Sequence, residues 1–148
     1  MATVYDCSIL ELPRITSPKG NLTPVHGFAQ FPFEIQRVYY IYDVPGGESR
    51  GAHAHKQLQQ IFVALMGSFE VVVDDGKVRR VMTLNRAYYG LFVPPMIWRD
   101  LGNFSSGGIC LVLASLPYEE SDYIRDYDTF LRCKNANDPT VSRSESRL

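Results

Sequence analysis

The chain is poor in several things at once. It has three histidines, three cysteines and one tryptophan in 148 residues, and its charges nearly cancel (15 Lys and Arg against 16 Asp and Glu, net −1). Without a concentrated basic patch it is not expected to bind nucleic acid, because phosphate backbones are held by clustered cations. No apolar run reaches the length of a membrane-spanning helix, and Met1-Ala2-Thr3-Val4-Tyr5 lacks the shape of a signal peptide. A soluble, cytoplasmic protein with no membrane partner is the expectation. Cys7, Cys110 and Cys133 are odd in number, far apart and free of any C-x-x-C spacing, which points to free thiols in a reducing compartment. Cys110 lies in the apolar run 109–113 and reads as core packing. Long 3.6-residue periodicity and internal repeats are also missing.

What the chain does have is a succession of short β-branched and aromatic runs between turn residues. Strands are expected at 4–12, 22–25, 37–44, 59–66, 68–73, 78–84, 89–93, 98–101 and 109–116. Residues 17–21 read as a turn, 28–33 as a Pro-interrupted aromatic connection, and Asp74-Asp75-Gly76-Lys77 as a hairpin. Residues 119–132 are the one helical stretch, and 135–148 form a polar tail with no core-forming pattern. Nine or ten strands of this kind imply an all-β, closed or two-sheet architecture. One domain over 1–134 followed by the tail 135–148 is the natural division. Along 37–44, alternation puts Arg37, Tyr39, Ile41 and Asp43 on one face and Val38, Tyr40 and Tyr42 on the other. Tyr40 and Tyr42 are expected to line the core.

The densest chemistry is Arg50-Gly51-Ala52-His53-Ala54-His55-Lys56. On a strand, His53 and His55 point to one face, and near an unperturbed pKa of about 6.5 a neutral imidazole can move a proton. With Gly47, Gln60 and Gly67, the spacing resembles the first cupin motif, G-x5-H-x-H-x4-E-x6-G, with Gln60 in place of the Glu. Pro94 and Asn103 keep the spacing of the second motif, where Arg99 stands in the position of its His and Met96 in that of its internal Gly. The resemblance implies a single cupin-type jelly-roll barrel with a short C-terminal helical element. Two of the four metal ligands usual in cupins are lost. Gln60 coordinates poorly, and Arg99 is a permanent cation that repels a divalent ion. No metal is therefore expected.

Four runs resemble one cupin family, the sugar-nucleotide 3,4-ketoisomerases: Arg37-Val38-Tyr39-Tyr40-Ile41-Tyr42-Asp43-Val44-Pro45, the segment from Arg50 to Lys56, Val93-Pro94-Pro95-Met96-Ile97-Trp98-Arg99, and the stretch from Val112 to Tyr127. The likeness covers most of the chain, from about Ile9 to Leu131. It implies a cofactor-free isomerase acting on a dTDP-linked 4-keto-6-deoxyhexose, dTDP-4-oxo-6-deoxy-glucose. The carbonyl moves from C4 to C3 on the way to a 3-amino sugar of surface polysaccharide such as O-antigen lipopolysaccharide. It also implies a homodimer that exchanges N-terminal strands; the segment 5–12, followed by a Pro-rich connection, is the candidate for exchange, because a single jelly roll leaves strand edges to cover. By family correspondence His53 is the base and Tyr39 lies near the sugar. Tyr39, His55 and Arg99 are candidate donors to the enediolate, and Lys19, Arg50 and Arg99 candidate cations for the diphosphate. Arg37, Gln60 and Trp98 are further candidates for substrate contact. A two-residue strand step separates the His55 ring from the His53 ring by about 6–7 Å, too far for both to reach one C3 proton. The run Ser121 to Tyr127 carries no evident chemistry. For the product, the family associates Arg at position 99 with an equatorial C4 hydroxyl (Qui3N type) and a basic residue at position 19 with an axial one (Fuc3N type). The cues conflict, and the lean is to the equatorial product. The alternatives are a dTDP-ketosugar epimerase and a non-catalytic sugar-nucleotide-binding cupin.

Because Gln60 and Arg99 occupy ligand positions, the purified protein should hold no stoichiometric transition metal and should keep its activity in excess chelator. Elemental analysis showing about one ion per chain, with activity lost on its removal, is the contrary result.

Overall fold

The structure is a computed structural model describing residues 1–27 and 30–136. Its strands are β1 (Ser8–Glu11), β2 (Ile15–Ser17), β3 (Gly20–Leu22), β4 (Arg37–Ile41), β5 (Arg50–His55) and β6 (Gln60–Met66). They continue with β7 (Phe69–Asp74), β8 (Arg79–Leu84), β9 (Tyr89–Val93), β10 (Trp98–Gly102), β11 (Ile109–Ala114) and β12 (Tyr123–Ile124). A helix, α1 (Tyr127–Ala136), follows. Two five-stranded antiparallel sheets, ordered β1-β9-β6-β11-β4 and β12-β5-β10-β7-β8, share one apolar core. Phe62, Leu91 and Val112 enter it from the first sheet, and Phe69, Val71, Val73 and Leu101 from the second. No ladder joins the two five-stranded sheets among the described residues. The outer face of β6 and β11 is covered as well. Phe31, Phe33, Val25 and Ile35 pack on Ile61, Val63 and Leu113, which explains why β6 reads as a continuous apolar run and not as an alternation.

Most strands fall where the turn residues predict, and the departures have local causes. The expected strand 4–12 opens with a 3-10 turn over Val4–Asp6. There the Thr3 hydroxyl accepts from the Tyr5 amide, and the Asp6 carboxylate accepts from the Thr3 amide. The short strand expected at 22–25 is instead the second arm of a β2–β3 hairpin, closed by Gly20 at φ 121°. The helix expected over 119–132 is broken in two. Glu120–Asp122 form a 3-10 turn, Tyr123 and Ile124 pair with His55 and Ala54 on the edge of β5, and the helix starts only at Tyr127. Its N-cap is Asp126, whose carboxylate accepts from the amide and hydroxyl of Thr129. Asn135 and Ala136 belong to this helix, so the tail begins later than expected; residues 137–148 and the pair 28–29 lie outside the described residues.

The alternation along β4 holds, but the Tyr40 and Tyr42 side faces solvent and does not line the core as expected. Tyr40 is 62% and Tyr42 58% exposed, because β4 is the edge of its sheet and its Tyr39–Ile41 face turns to the core. Cys7 and Cys110 are buried free thiols, and burial pushes both up to about 12.

Gly67 joins β6 to β7 at φ 67°, and a Cβ there would lie 2.2 Å from Ser105 Oγ and 3.0 Å from Gly108 Cα. Gly67→Ala should lower unfolding free energy by about 1–3 kcal/mol through strain and overlap together. An unchanged denaturation midpoint would show that the turn relaxes freely.

Candidate active site

The sheets position a cavity of about 890 Å³ between β4, β5 and β10 and the segment 118–125. Arg37, Tyr39, His53, Arg99, Tyr123 and Arg125 line it, and Arg50 stands at its edge on β5. Each side chain arrives by strand alternation. Tyr39 leaves the core face of β4, His53 the inner face of β5, and Arg99 the same face of β10, directly across the ladder from His53.

At the floor, three nitrogen groups converge. Arg99 is 2% exposed, and its Nη2 contacts Nε2 of His53 and lies 3.1 Å from Nε2 of His55. The two Nε2 atoms are themselves 3.1 Å apart, with the rings edge-on at 83°. This overturns the expected 6–7 Å separation. The strand step fixes the Cα atoms, but the two rings tilt toward each other under the Tyr123 ring, whose centroid is 4.8 Å from His53 and 4.4 Å from His55. The two imidazoles still occupy different places. His53 lines the cavity, whereas His55, 2% exposed, stands behind it and does not.

Burial, then the Arg99 cation, then His55 push His53 down to about 2. Burial and Arg99 likewise push His55 down to about 4, with Asp122 opposing them through a hydrogen bond and its charge. Both rings are neutral at physiological pH, and His53 offers a lone pair to the cavity. Above it, the Tyr39 hydroxyl accepts from Gln60 Nε2 at 3.0 Å, which leaves the hydroxyl proton free to be donated. Gln60 is itself buried, so it reaches the site through Tyr39. The Arg37 guanidinium packs over the Tyr39 and Tyr118 rings, and its buried Nε and Nη2 lack protein partners.

Two expected contacts are not brought to the cavity. Trp98 precedes Arg99 and therefore faces the other way, packing on Tyr127 and Phe130 of the helix. Lys19 sits at the exposed tip of the β2–β3 hairpin. Conversely, the run 121–127 supplies chemistry that the sequence reading did not assign it. Asp122 Oδ2 is 3.0 Å from His55 Nδ1, and Arg125, held by two bonds to Glu120, packs over Tyr123 at 4.2 Å. An aspartate beside a tyrosine is a weak signal. The feature that makes it part of the site is the pairing of β12 on β5, a long-range event that no local pattern encodes.

No cluster of three or more His, Cys, Asp or Glu placed to hold a metal ion occurs among the described residues. No helix there is long and apolar enough to cross a membrane.

Residues 5–135 match the family described as FdtA: WxcM-like, C-terminal. The chain belongs to this family. Among its FdtA-like relatives, the TDP-4-oxo-6-deoxy-alpha-D-glucose-3,4-oxoisomerase of Aneurinibacillus thermoaerophilus is 43% identical over 122 residues, covering 82% of this chain and 88% of that protein. A 3,4-ketoisomerase from Helicobacter canadensis superposes with a TM-score of 0.86 at 45% identity, covering 88% of this chain and 98% of that one. A mutant of the 3,4-ketoisomerase QdtA from Thermoanaerobacterium thermosaccharolyticum, solved with TDP-4-keto-6-deoxyglucose, gives 0.88 at 35% identity over 91% and 98% of the two chains. FdtA-like membership puts the chain among the isomerases.

The buried histidines give this FdtA-like fold a defined acid sensitivity. His55 binds its proton near 6.5 when unfolded and near 4 when folded, so the unfolded state holds more protons between those values. Stability from this ring is fully present above about 6.5 and lost as pH falls through about 4, by roughly 3 kcal/mol in all. Denaturant titrations from pH 7 to 4 should show the loss, and His55→Gln should about halve its slope, because His53, depressed further, contributes over the same range; a slope unchanged by that substitution would place the sensitivity elsewhere.

Proposed function

We propose that the chain is a 3,4-ketoisomerase that converts dTDP-4-oxo-6-deoxy-D-glucose, in the cytoplasm, to the 3-oxo sugar through an enediol. The product would then be aminated to a dTDP-3-amino-3,6-dideoxyhexose. The observation that carries this reading is the neutral His53 at the cavity floor, flanked by the Tyr39 hydroxyl and the Arg99 guanidinium. The C3 hydrogen, acidified by the neighbouring carbonyl, passes as a proton to His53. The C3–H electron pair becomes the C3–C4 double bond, and the carbonyl pair moves onto O4, where Tyr39 and Arg99 can donate. C4 of the enediol then takes a proton from a donor while O3 gives up its own, leaving the carbonyl at C3, and His53 returns to its neutral form by releasing its proton toward O4 or solvent. C3 is oxidised as C4 is reduced, so the reaction needs no external oxidant or cofactor. Arg37 and Arg50 are the cations at the cavity best suited to the diphosphate.

For the product, we extend the proposal to the equatorial, Qui3N-type configuration over the Fuc3N type. Arg99, the residue linked to it by family resemblance, lies against both histidines, whereas Lys19 is remote from the cavity within this chain. In that product the C4 hydrogen lies on the ring face opposite the one that lost the C3 hydrogen. A donor other than His53, the Tyr39 hydroxyl or a water, then completes the second step. The proposal also includes a jelly-roll barrel assembled as a homodimer with exchanged N-terminal strands. Within one chain, β1 pairs with β9 at a sheet edge, and the β2–β3 hairpin forms a small sheet of its own that leaves Ile15 and Leu22 exposed. Light scattering should report twice the chain mass; a monomer would contradict it.

Incubation with dTDP-4-oxo-6-deoxy-glucose, followed by NMR, should show the carbonyl at C3 and a large H4–H5 coupling. A small coupling would give the axial product. Loss of the C3 and C5 hydrogens to deuterated solvent without carbonyl transfer would make the protein an epimerase, and binding without any exchange a non-catalytic carrier. His53→Asn should abolish loss of the C3 hydrogen while nucleotide-sugar binding stays within about a few-fold of the parent. Exchange at near the parent rate would remove His53 from the role of base.

A further inference from the structure

His55 cannot donate to the substrate from where it stands, since it lies behind His53 and does not reach the cavity. What it can do follows from Asp122. This buried carboxylate is held in place by backbone donors: Oδ1 accepts from the Gln57 amide at 2.8 Å and Oδ2 from the Leu58 amide at 3.3 Å. The Asp122 carbonyl accepts from the Lys56 amide at 2.9 Å, closing the loop after β5 around it. A carboxylate can only accept, so His55 Nδ1, 3.0 Å away, must carry the hydrogen. The neutral ring then has its lone pair on Nε2, turned toward His53. Arg99 Nη2 bears two hydrogens and contacts both Nε2 atoms, which assigns the lone pair of His53 to Nε2 as well. Two lone pairs thus face each other across 3.1 Å. Such a pair is a poor arrangement empty and a good one with a single proton between the nitrogens.

We propose that Asp122 is a positioning residue: by keeping hydrogen on Nδ1 of His55 it presents the His55 Nε2 lone pair to His53, where it accepts a hydrogen bond from the proton taken off the substrate. This rests on the reading of His53 as the base. In the step itself the C3–H bond breaks and an N–H bond forms at His53 Nε2. Once Arg99 has withdrawn, the new N–H turns from the cavity to His55 Nε2, and the electron pair left behind enters the enediol. Arg99, displaced from His53 Nε2 by the incoming proton, is released toward the oxygen that gains charge. The first proton belongs to the pair of imidazoles and not to either ring. The charged and titratable groups around His55 are His53 on its own strand, Arg99 from β10, Asp122 and Tyr123 from the segment after β11, and Arg37 from β4 at longer range. Of these, only Asp122 stabilises a protonated pair by charge.

The tautomers are read first, without substrate, by long-range ¹H–¹⁵N correlation of the parent protein's histidines near neutral pH. A hydrogen on Nδ1 and a bare Nε2 are expected for His55; a hydrogen on Nε2 overturns the inference even in an active enzyme. Asp122→Asn should then lower kcat by about tenfold to a hundredfold with KM within about twofold. It should also move the acid limb of the kcat profile to lower pH, because the pair loses the anionic neighbour bonded to it. Parallel falls in kcat, KM performance and melting temperature, with the limb unmoved, would mean that Asp122 only holds the loop. Should the variant not fold, the parent's His55 tautomer decides alone. A parent that leaves the carbonyl at C4 overturns the function beneath the inference, and the proton-accepting role with it.

Discussion

Everything at the site depends on one buried guanidinium. Arg99 enters the floor of the cavity as a permanent charge with little water around it, an expensive placement for which its neighbours must compensate. They do so with lone pairs and ring faces and no direct carboxylate: two imidazole nitrogens accept from Nη2, and the Phe62 ring lies 5.3 Å from the guanidinium carbon. Burial and this cation together keep both histidines neutral, and the cation leaves positive potential available for an anionic intermediate. The position at which the cupin motif holds a metal ligand thereby contributes a fixed charge of the same sign. A cation that cannot dissociate or change oxidation state suits a reaction that only relocates protons and an electron pair.

The sequence made the strands, the turns and much of the cavity legible, because those depend on local pattern. Alternation correctly placed Tyr39 away from Tyr40 and carried His53 and His55 to one face of β5. The motif spacing brought Arg99 into the same argument, and the structure sets it across the ladder from His53. The failures share a physical origin. Alternation separates two faces but does not say which one is wet, so Tyr40 and Tyr42 were assigned to the core although β4 is an edge strand. Strand rise gives Cα spacing but not ring tilt, so the histidines were read as 6–7 Å apart. Trp98 stands among the candidates for substrate contact, although the parity of Arg99 next to it already requires the opposite face.

The largest omission was the segment after β11. Read locally, residues 119–132 are charged and aromatic enough to pass for one helix. Pairing with the free edge of β5 competes with helix formation and wins over two residues, Tyr123 and Ile124. That short ladder sets Asp122 against His55, lays Tyr123 over both imidazoles and lets Arg125 cover the tyrosine. Tertiary pairing thus overrides propensity where the site needs a wall.

The order of assembly follows from this same segment. The histidine strand and the arginine strand pair as neighbours although 46 residues separate His53 from Arg99, and the site is not complete until a piece of chain 67 residues beyond His55 has docked on the strand edge. During synthesis the strands of the two sheets can leave the ribosome and pair while the imidazoles still lack their anionic partner and their aromatic cover. In the mature protein, peeling β12 from β5 is a local opening that removes one short edge strand and leaves the remaining strands and their shared core in place. The enzyme can therefore be switched off by an excursion much smaller than unfolding, and hydrogen exchange at residues 122–124 reports on catalytic readiness rather than on global stability.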